Sequence, residues 1–320
     1  MTWKILITSS FYDELCQDGK KMLEDKGCIL EVNHKKEPFY TFDELVKTIG
    51  DKDAAIIGLD DWNESIFKNA PKLKCIAKFG VGVDNIDLLK AKEYGIKVIN
   101  ARGGNSNAVA ELAVGFILNS LRSISTLDCQ LKNGNWQRHI GEELIGKTVG
   151  LLGFGSIAQK VAKKLSGFDV HMIACDICPN FKAAAALGVE LTTSECVLSE
   201  SDIVSIHIPG SKENHYFLNA QTIGQMKKGS YLINTARGTI VDPDALCDAI
   251  ESGHLAGAAL DVYEVEPLPI GSRLVKYPQI LTMPHGGSET FDVYKNISVI
   301  TAKGVLDVLE GREPENWLNK

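Results

Sequence analysis

The stretch Thr148-Val149-Gly150-Leu151-Leu152-Gly153-Phe154-Gly155-Ser156-Ile157-Ala158 carries the decisive pattern of this chain. Its first five residues form an apolar run of strand character. From Ile157 to Leu165 apolar residues recur at helical spacing, so the glycines fall at a strand-to-helix turn. Gly153 permits the tight turn, Gly155 lets the backbone come close to a ligand, and Ala158 is small enough for the helix to lie against the strand. The N–H groups of Ser156 and Ile157 stand at the helix start with the helix dipole behind them, which makes a seat for phosphates. The next strand, residues 171–175, ends at Asp176, about 20 residues past the loop, where a carboxylate accepts hydrogen bonds from ribose hydroxyls. Ile177, Cys178 and Pro179 offer no cation for a 2′-phosphate, and Asp176 would repel one. The pattern predicts a Rossmann domain that takes NAD in preference to NADP.

Working outward, strands at 4–8, 28–32, 54–58, 74–79 and 97–100 alternate with helical stretches at 14–26, 41–50 and 88–94, which specifies a first α/β domain with a parallel sheet. Asn107 is a candidate N-cap for one long helix over 108–131 that joins this domain to the next. Beyond the glycine loop, strands are expected at 203–207, 231–234, 258–261 and 279–282. Residues 290–310 read as an amphipathic helix that returns to the first domain. The expected division is 1–102 with 289–320 as a substrate domain, and 103–288 as the NAD-binding domain. There is no Gly/Ser linker and no repeat, so the junctions read as helical.

Bulk properties exclude several classes. With 320 residues, 44% hydrophobic and 23% charged, the composition is that of a folded two-domain protein. The net charge of −7 arises from 34 basic and 41 acidic residues with no basic block, which argues against nucleic acid as a partner. The N-terminus enters an apolar run at once, without a signal-peptide pattern. No later span reaches about 20 apolar residues, so no membrane association and a cytoplasmic location are expected. Eight scattered cysteines fit a reducing compartment. Cys175 and Cys178 form a C-x-x-C pair, but nothing completes four ligands, and no metal is expected.

Unusual polar residues cluster at expected strand ends: His207 and Pro209, Arg237 in Asn234-Thr235-Ala236-Arg237-Gly238, Asp261, Glu266, and His285 in Pro284-His285-Gly286-Gly287. In open α/β sheets ligands bind at those edges. Arg237 can grip a substrate carboxylate with its fork and polarise the adjacent carbonyl. His285 can supply a proton to the substrate oxygen at neutral pH. Glu266 gives that imidazole an anionic partner that favours the protonated form and orients the ring. Taken singly, each of these residues could be a surface ion pair, a loop charge or a turn cap.

Four separated motifs, in order, resemble the D-isomer-specific 2-hydroxyacid dehydrogenase family. They are Phe79-Gly80-Val81-Gly82-Val83-Asp84-Asn85-Ile86-Asp87, Gly104-Asn105-Ser106-Asn107-Ala108-Val109-Ala110-Glu111, the Gly153 loop with Asp176, and the series from Asn234 through Asp261 and Glu266-Pro267 to His285. The resemblance implies a discontinuous flavodoxin-like substrate domain, a central Rossmann domain with a cleft between them, and a homodimer built around the long linking helices. It implies that Arg237 binds and orients substrate, that Glu266 supports the histidine, and that His285 is the acid/base. It places Asp261 near the nicotinamide, His207 and Pro209 around the adenosine half, and Thr235, Ala236 and Gly287 among the cofactor contacts. Val81 and Gly82 resemble the loop whose amides hold the substrate carboxylate, and Asn105 is carried with the substrate contacts.

Gly104-Asn105-Ser106 and residues 132–136 look most like 3-phosphoglycerate dehydrogenases. In that setting Lys78 reads either as a ligand for a substrate phosphate or as a strand-end charge. The implied activity is hydride transfer between NAD and a small D-2-hydroxy or 2-oxo acid, 3-phosphoglycerate among the candidates. Reduction of glyoxylate, hydroxypyruvate or another 2-oxo acid is the alternative within the class, and an NAD-sensing, corepressor-like binding protein is the alternative outside it.

Overall fold

Each sheet is assembled from short runs of small and β-branched apolar residues in parallel. The computed structural model describes residues 2–35 and 39–320 and divides into two compact units, Met1–Asn105 with Glu289–Lys320, and Ser106–Ser288. In the first unit β1 (Lys4–Ile7), β2 (Ile29–Val32), β3 (Ala54–Ile57), β4 (Cys75–Lys78) and β5 (Lys97–Asn100) pair in the order β2-β1-β3-β4-β5. β3 and β4 are buried along their whole length, as parallel strands covered on both faces must be. This is the flavodoxin-like order, and the chain reverses direction across the sheet between β1 and β3.

The helix Phe291–Leu309 belongs to this first unit and packs on the helix Gln17–Glu24. Their approach is close because Gly19 has no side chain: a Cβ there would lie 2.5 Å from the Ser298 carbonyl oxygen. The outer edge of β5 is sealed by the chain's own end. Asn319 Oδ1 accepts from Val98 N at 2.9 Å, and its Nδ2 donates to Ile96 O at 2.9 Å, so an edge strand that would otherwise offer unpaired backbone is covered.

In the second unit β6 (Thr148–Leu152), β7 (His171–Cys175), β8 (Val189–Leu191), β9 (Ile203–Ile206), β10 (Ser230–Asn234), β11 (Leu255–Leu260) and β12 (Ile280–Thr282) form a sheet in the order β12-β11-β10-β9-β6-β7-β8. This is the doubly wound Rossmann arrangement, with its switch point between β6 and β9. Ala110, Phe116, Val161 and Leu165, from helices Ser106–Arg122 and Ser156–Leu165, belong to one of the unit's two apolar cores. Leu246 and Ile250, from the helix Pro243–Glu251, belong to the other.

One expectation is corrected. The single helix expected over 108–131 is two helices, Ser106–Arg122 and Ile124–Lys132, bent by 63°. Ser123 between them takes a left-handed backbone, φ 51°. The Ser125 amide, which a continuous helix would direct to Leu121 O, donates instead to Asn119 Oδ1 at 2.8 Å, while Leu121 O accepts from Glu142 N at 2.9 Å. Among the described residues no single helix is long and apolar enough to cross a membrane.

Replacing Gly19 with alanine is expected to force the two helices of the first unit apart and to cost about 1–3 kcal/mol. Denaturant unfolding of the variant checks this, and an unchanged midpoint would show that the contact relaxes freely.

Candidate active site

The β6–β9 switch point opens at the C-terminal edge of the second sheet, where parallel topology collects the loops. Gly153 follows β6 with φ +93°, and a Cβ there would sit 2.8 Å from the carbonyl carbon and oxygen of His207. Only glycine satisfies both the left-handed backbone and that close approach. Gly155 is the N-cap of the helix Ser156–Leu165; among the described residues no side chain caps that end, and nothing lies within 4 Å of a Cβ added at Gly155. The open helix start is therefore available to an anionic group. Ser156 Oγ lies 3.2 Å from Ser106 Oγ, and Ile157 begins the helix beside it.

Asp176 stands one residue past β7 and is tied back to the glycine loop. Its Oδ2 accepts from Phe154 N at 2.6 Å and its Oδ1 from Cys178 N at 2.8 Å. Each carboxylate oxygen keeps acceptor capacity for a hydroxyl. After β9, His207 lies in the wall behind Gly153. Its Nε2 is 2.9 Å from Ser205 Oγ, and burial pushes its pKa down to about 4, so the ring is neutral across the physiological range. Pro209 is exposed, and its carbonyl accepts from Asn214 Nδ2 at 2.9 Å.

β10 ends in a turn built by the Asn234 side chain, which is 1% exposed. Asn234 Oδ1 accepts from Ala236 N at 3.0 Å and its Nδ2 donates to Arg237 O at 2.9 Å. This turn presents Thr235, Ala236 and Arg237 beyond the strand. Thr235 Oγ1 is buried and has no hydrogen-bond partner among the described residues, which leaves a donor and acceptor for a bound group. Arg237 Nη1 donates to Ala236 O at 2.7 Å. A Cβ on Gly238 would collide with the backbone of Tyr263 and Glu264, so this glycine lets the Arg237 turn lie directly on the loop that carries Glu266.

The Glu266 carboxylate is shared between two donors: Oε1 accepts from Tyr263 N at 2.9 Å, and Oε2 lies 2.7 Å from His285 Nδ1. A carboxylate can only accept, so Nδ1 carries the proton and Nε2 is the ring atom left for chemistry. The His285 pKa is raised above the ordinary histidine value, first by the hydrogen bond to Glu266, against burial, with the Glu266 and Asp261 charges adding to the rise. Burial pushes the Glu266 carboxyl up, but the bonds from His285 and Tyr263 N and the nearby Arg237 charge outweigh it and leave the pKa low. The pair's contribution to stability is complete between the ordinary carboxylate and histidine pKa values; it is lost as pH rises through the raised folded value of His285 and as pH falls through the lowered folded value of Glu266.

Asp261, 1% exposed, does not point at open space. Its Oδ1 accepts from Gly286 N at 2.7 Å and its Oδ2 from Gly287 N at 2.8 Å, so it anchors the loop bearing His285. Burial raises the Asp261 pKa, and these two amides oppose the rise. Tyr263 Oη ties the ends of β11 and β12 through bonds to Leu260 O at 3.2 Å and Met283 O at 2.9 Å. Neither the Asn234 side chain nor Tyr263 stood out in the sequence. Asn234 was visible only as part of a motif, and Tyr263 carried no signal at all.

In the first unit, Val81 and Gly82 lie in the loop after β4, and Lys78 ends that strand, 8% exposed, with Nζ donating to Gly58 O and, at 2.9 Å, to Asn85 Oδ1. Asn105 closes the first segment of that unit. The second unit thus brings together the predicted glycine loop, Asp176, Thr235, Arg237, Asp261, Glu266 and His285 at one sheet edge. The buried Thr235 hydroxyl, the uncapped helix start and Asp176 fit a dinucleotide. Among the described residues no group of His, Cys, Asp and Glu could hold a metal ion.

Residues 114–287 match the family described as D-isomer specific 2-hydroxyacid dehydrogenase, NAD binding domain. The glyoxylate reductase of Thermofilum pendens is 38% identical over 312 residues, covering 95% of this chain and 92% of that protein. The D-3-phosphoglycerate dehydrogenase of Bacillus subtilis is 36% identical over 305 residues, and the match covers 93% of this chain but 56% of that longer protein. Among solved structures, the TT0316 protein of Thermus thermophilus superimposes with a TM-score of 0.90 at 33% identity, covering 98% of this chain and 99% of that one.

Glu266→Gln removes the charge that holds the imidazole protonated and is expected to lower the His285 pKa. NMR titration of the ring checks this. A value equal to that of the unaltered protein would show that the short contact does not control the proton.

Proposed function

This chain belongs to the D-isomer-specific 2-hydroxyacid dehydrogenases and binds NAD, and from that premise we propose that Arg237, Glu266 and His285 carry out interconversion of a small D-2-hydroxy acid and its 2-oxo acid. The observation that carries the assignment is the 2.7 Å contact between His285 Nδ1 and Glu266 Oε2 at the sheet edge that also bears the glycine loop. Gly153, Gly155, Ser156, Ile157, Asp176 and Thr235 would hold the dinucleotide, with His207, Pro209, Ala236, Asp261 and Gly287 around it, and the bound cofactor would supply or accept the hydride.

In the reductive direction Arg237 draws the substrate's carboxylate and polarises its carbonyl. His285, protonated because Glu266 stabilises the imidazolium, donates from Nε2 to the carbonyl oxygen. In the oxidative direction the neutral ring takes the proton back through the same atom. Asp261 keeps the His285 loop in place through both steps. In the first unit, the Val81 and Gly82 amides are the proposed donors to a substrate carboxylate.

A homodimer in the cytoplasm is the second part of the proposal. The helix Ile124–Lys132 buries none of its residues, and Ile124, Leu131, Trp136 and Ile140 are exposed, the last two at 83% and 96%. A nine-residue helix with no buried residue, followed by a segment that exposes Trp136 and Ile140, needs cover to persist, and a second copy would supply it. All eight cysteines are free, which suits a reducing compartment.

His285→Ala is expected to lose on the order of 10²–10⁴ in rate while binding NADH normally. NADH oxidation with a panel of 2-oxo acids, glyoxylate, hydroxypyruvate and 3-phosphohydroxypyruvate among them, tests this, and near-normal turnover would remove the residue from the mechanism. Light scattering is expected to report a dimer that Trp136→Glu with Ile140→Glu converts to a monomer. A monomeric unaltered chain would refute the association.

A further inference from the structure

In the loop after β4 four carbonyls are tied down while three successive amides are left open. Gly80 O accepts from Ala101 N at 2.8 Å, Val81 O from Asn100 Nδ2 at 2.7 Å, Val83 O from Ile86 N at 3.0 Å, and Asn85 O from Trp62 N at 2.8 Å. Among the described residues, the N–H groups of Val81, Gly82 and Val83 donate to no acceptor. Successive free amides on a pinned backbone make a concave seat for an anion.

What pins the far end of this loop is the Asn85 side chain. Its Oδ1 accepts from Lys78 Nζ at 2.9 Å, and its Nδ2 donates to the carbonyls of Gly58, at 3.3 Å, and Asp60. Lys78 Nζ also donates to Gly58 O, so one ammonium bridges the segment after β3 to the end of the β4 loop. The lysine stem runs under the loop, with Cε 3.7 Å from a Cβ built on Gly80. Asp60, 2% exposed, accepts in turn from Thr8 Oγ1 and Tyr40 N. The ends of β1, β3 and β4 therefore meet in one polar cluster at the switch point of the first sheet. A surface lysine that waits for a ligand extends its head into water, whereas this one is buried and bonded to oxygens of two separate segments, which offsets the cost of removing its charge from water.

We propose that Lys78 and Asn85 form a latch that presets the Val81–Val83 amides for a carboxylate, making Lys78 a positioning residue for every 2-oxo acid and not a ligand for a substrate phosphate. The proposal rests on the reading above that this loop takes the substrate carboxylate. The latch acts through the loop, so losing either partner should weaken ground-state and transition-state binding alike, raising KM with kcat nearly unchanged. Because the two residues work as one unit, removing both should cost little more than removing one.

The test uses Lys78→Met, Asn85→Ala and the double variant of the full chain, with kcat and KM measured for glyoxylate, hydroxypyruvate and 3-phosphohydroxypyruvate. The expected result is a KM raised about tenfold by either single change, by a similar factor for each acid that is turned over, with the double variant no worse. A KM that rises only for the phosphorylated acid, or losses that multiply in the double variant, overturns the latch. Hydrogen exchange across residues 79–86 gives an independent readout. Both variants should exchange faster there while NADH affinity stays unchanged, and unchanged exchange in Lys78→Met also overturns the proposal. If the unaltered protein reduces no 2-oxo acid, the functional reading fails and the exchange experiment decides the latch by itself. If Lys78→Met does not fold, Lys78→Gln, which removes the charge and shortens the reach, carries the same comparison.

Discussion

A buried carboxylate holds the reactive loop. Asp261 gives one oxygen to Gly286 N and the other to Gly287 N, and those bonds keep His285 in a left-handed backbone, φ 53°, that a histidine does not adopt cheaply. Burying a carboxylate is costly unless it is hydrogen-bonded, and here the two amides supply the bonds while the residue lies at the end of β11. The His285 ring, and through it the pairing with Glu266, depends on that anchor. Asp261 therefore serves the chemistry at one remove: its charge adds to the rise in the histidine's pKa and its oxygens set where the ring can be.

The second requirement is close backbone approach. Gly153 lies on the His207 peptide, and Gly238 lies on the Tyr263–Glu264 peptide. The first contact holds the dinucleotide loop against the β9 edge; the second brings the Arg237 turn and the Glu266 loop together so that the guanidinium influences both Glu266 and His285. Side chains enter where backbone cannot reach. Asn234 folds the Arg237 turn, Tyr263 ties β11 to β12, and Asp176 ties β7 to the glycine loop. The edge is thus tied together by bonds within the chain itself, the kind of preorganisation that electrostatic stabilisation of a developing charge requires.

Much of this was legible in the chain. The glycine loop, its strand and helix, and Asp176 were read from local spacing, because a tight turn, a phosphate seat and a helix start each need particular residues within about 20 positions. Arg237, Glu266 and His285 stood out as polar residues at strand ends. Other features were not legible. The strand Val189–Leu191 is too short to carry a period. The break at Ser123 depends on Glu142 competing for Leu121 O from twenty-one residues away in sequence. Lys78 left two readings open because burial, which separates them, is a tertiary property.

By itself, the sequence determined the class of each domain, the cofactor and the chemical types gathered at one sheet edge, since these follow from local periodicity and from the rule that parallel strands end on a common side. Only the tertiary structure decided how those groups act on one another. Which oxygen of Glu266 meets which nitrogen of His285, which amides Asp261 holds, and whether Lys78 faces solvent or fastens two loops are matters of contacts between segments far apart in sequence. Such contacts are selected by packing and hydrogen-bond satisfaction over the whole fold, and no window of neighbouring residues contains them.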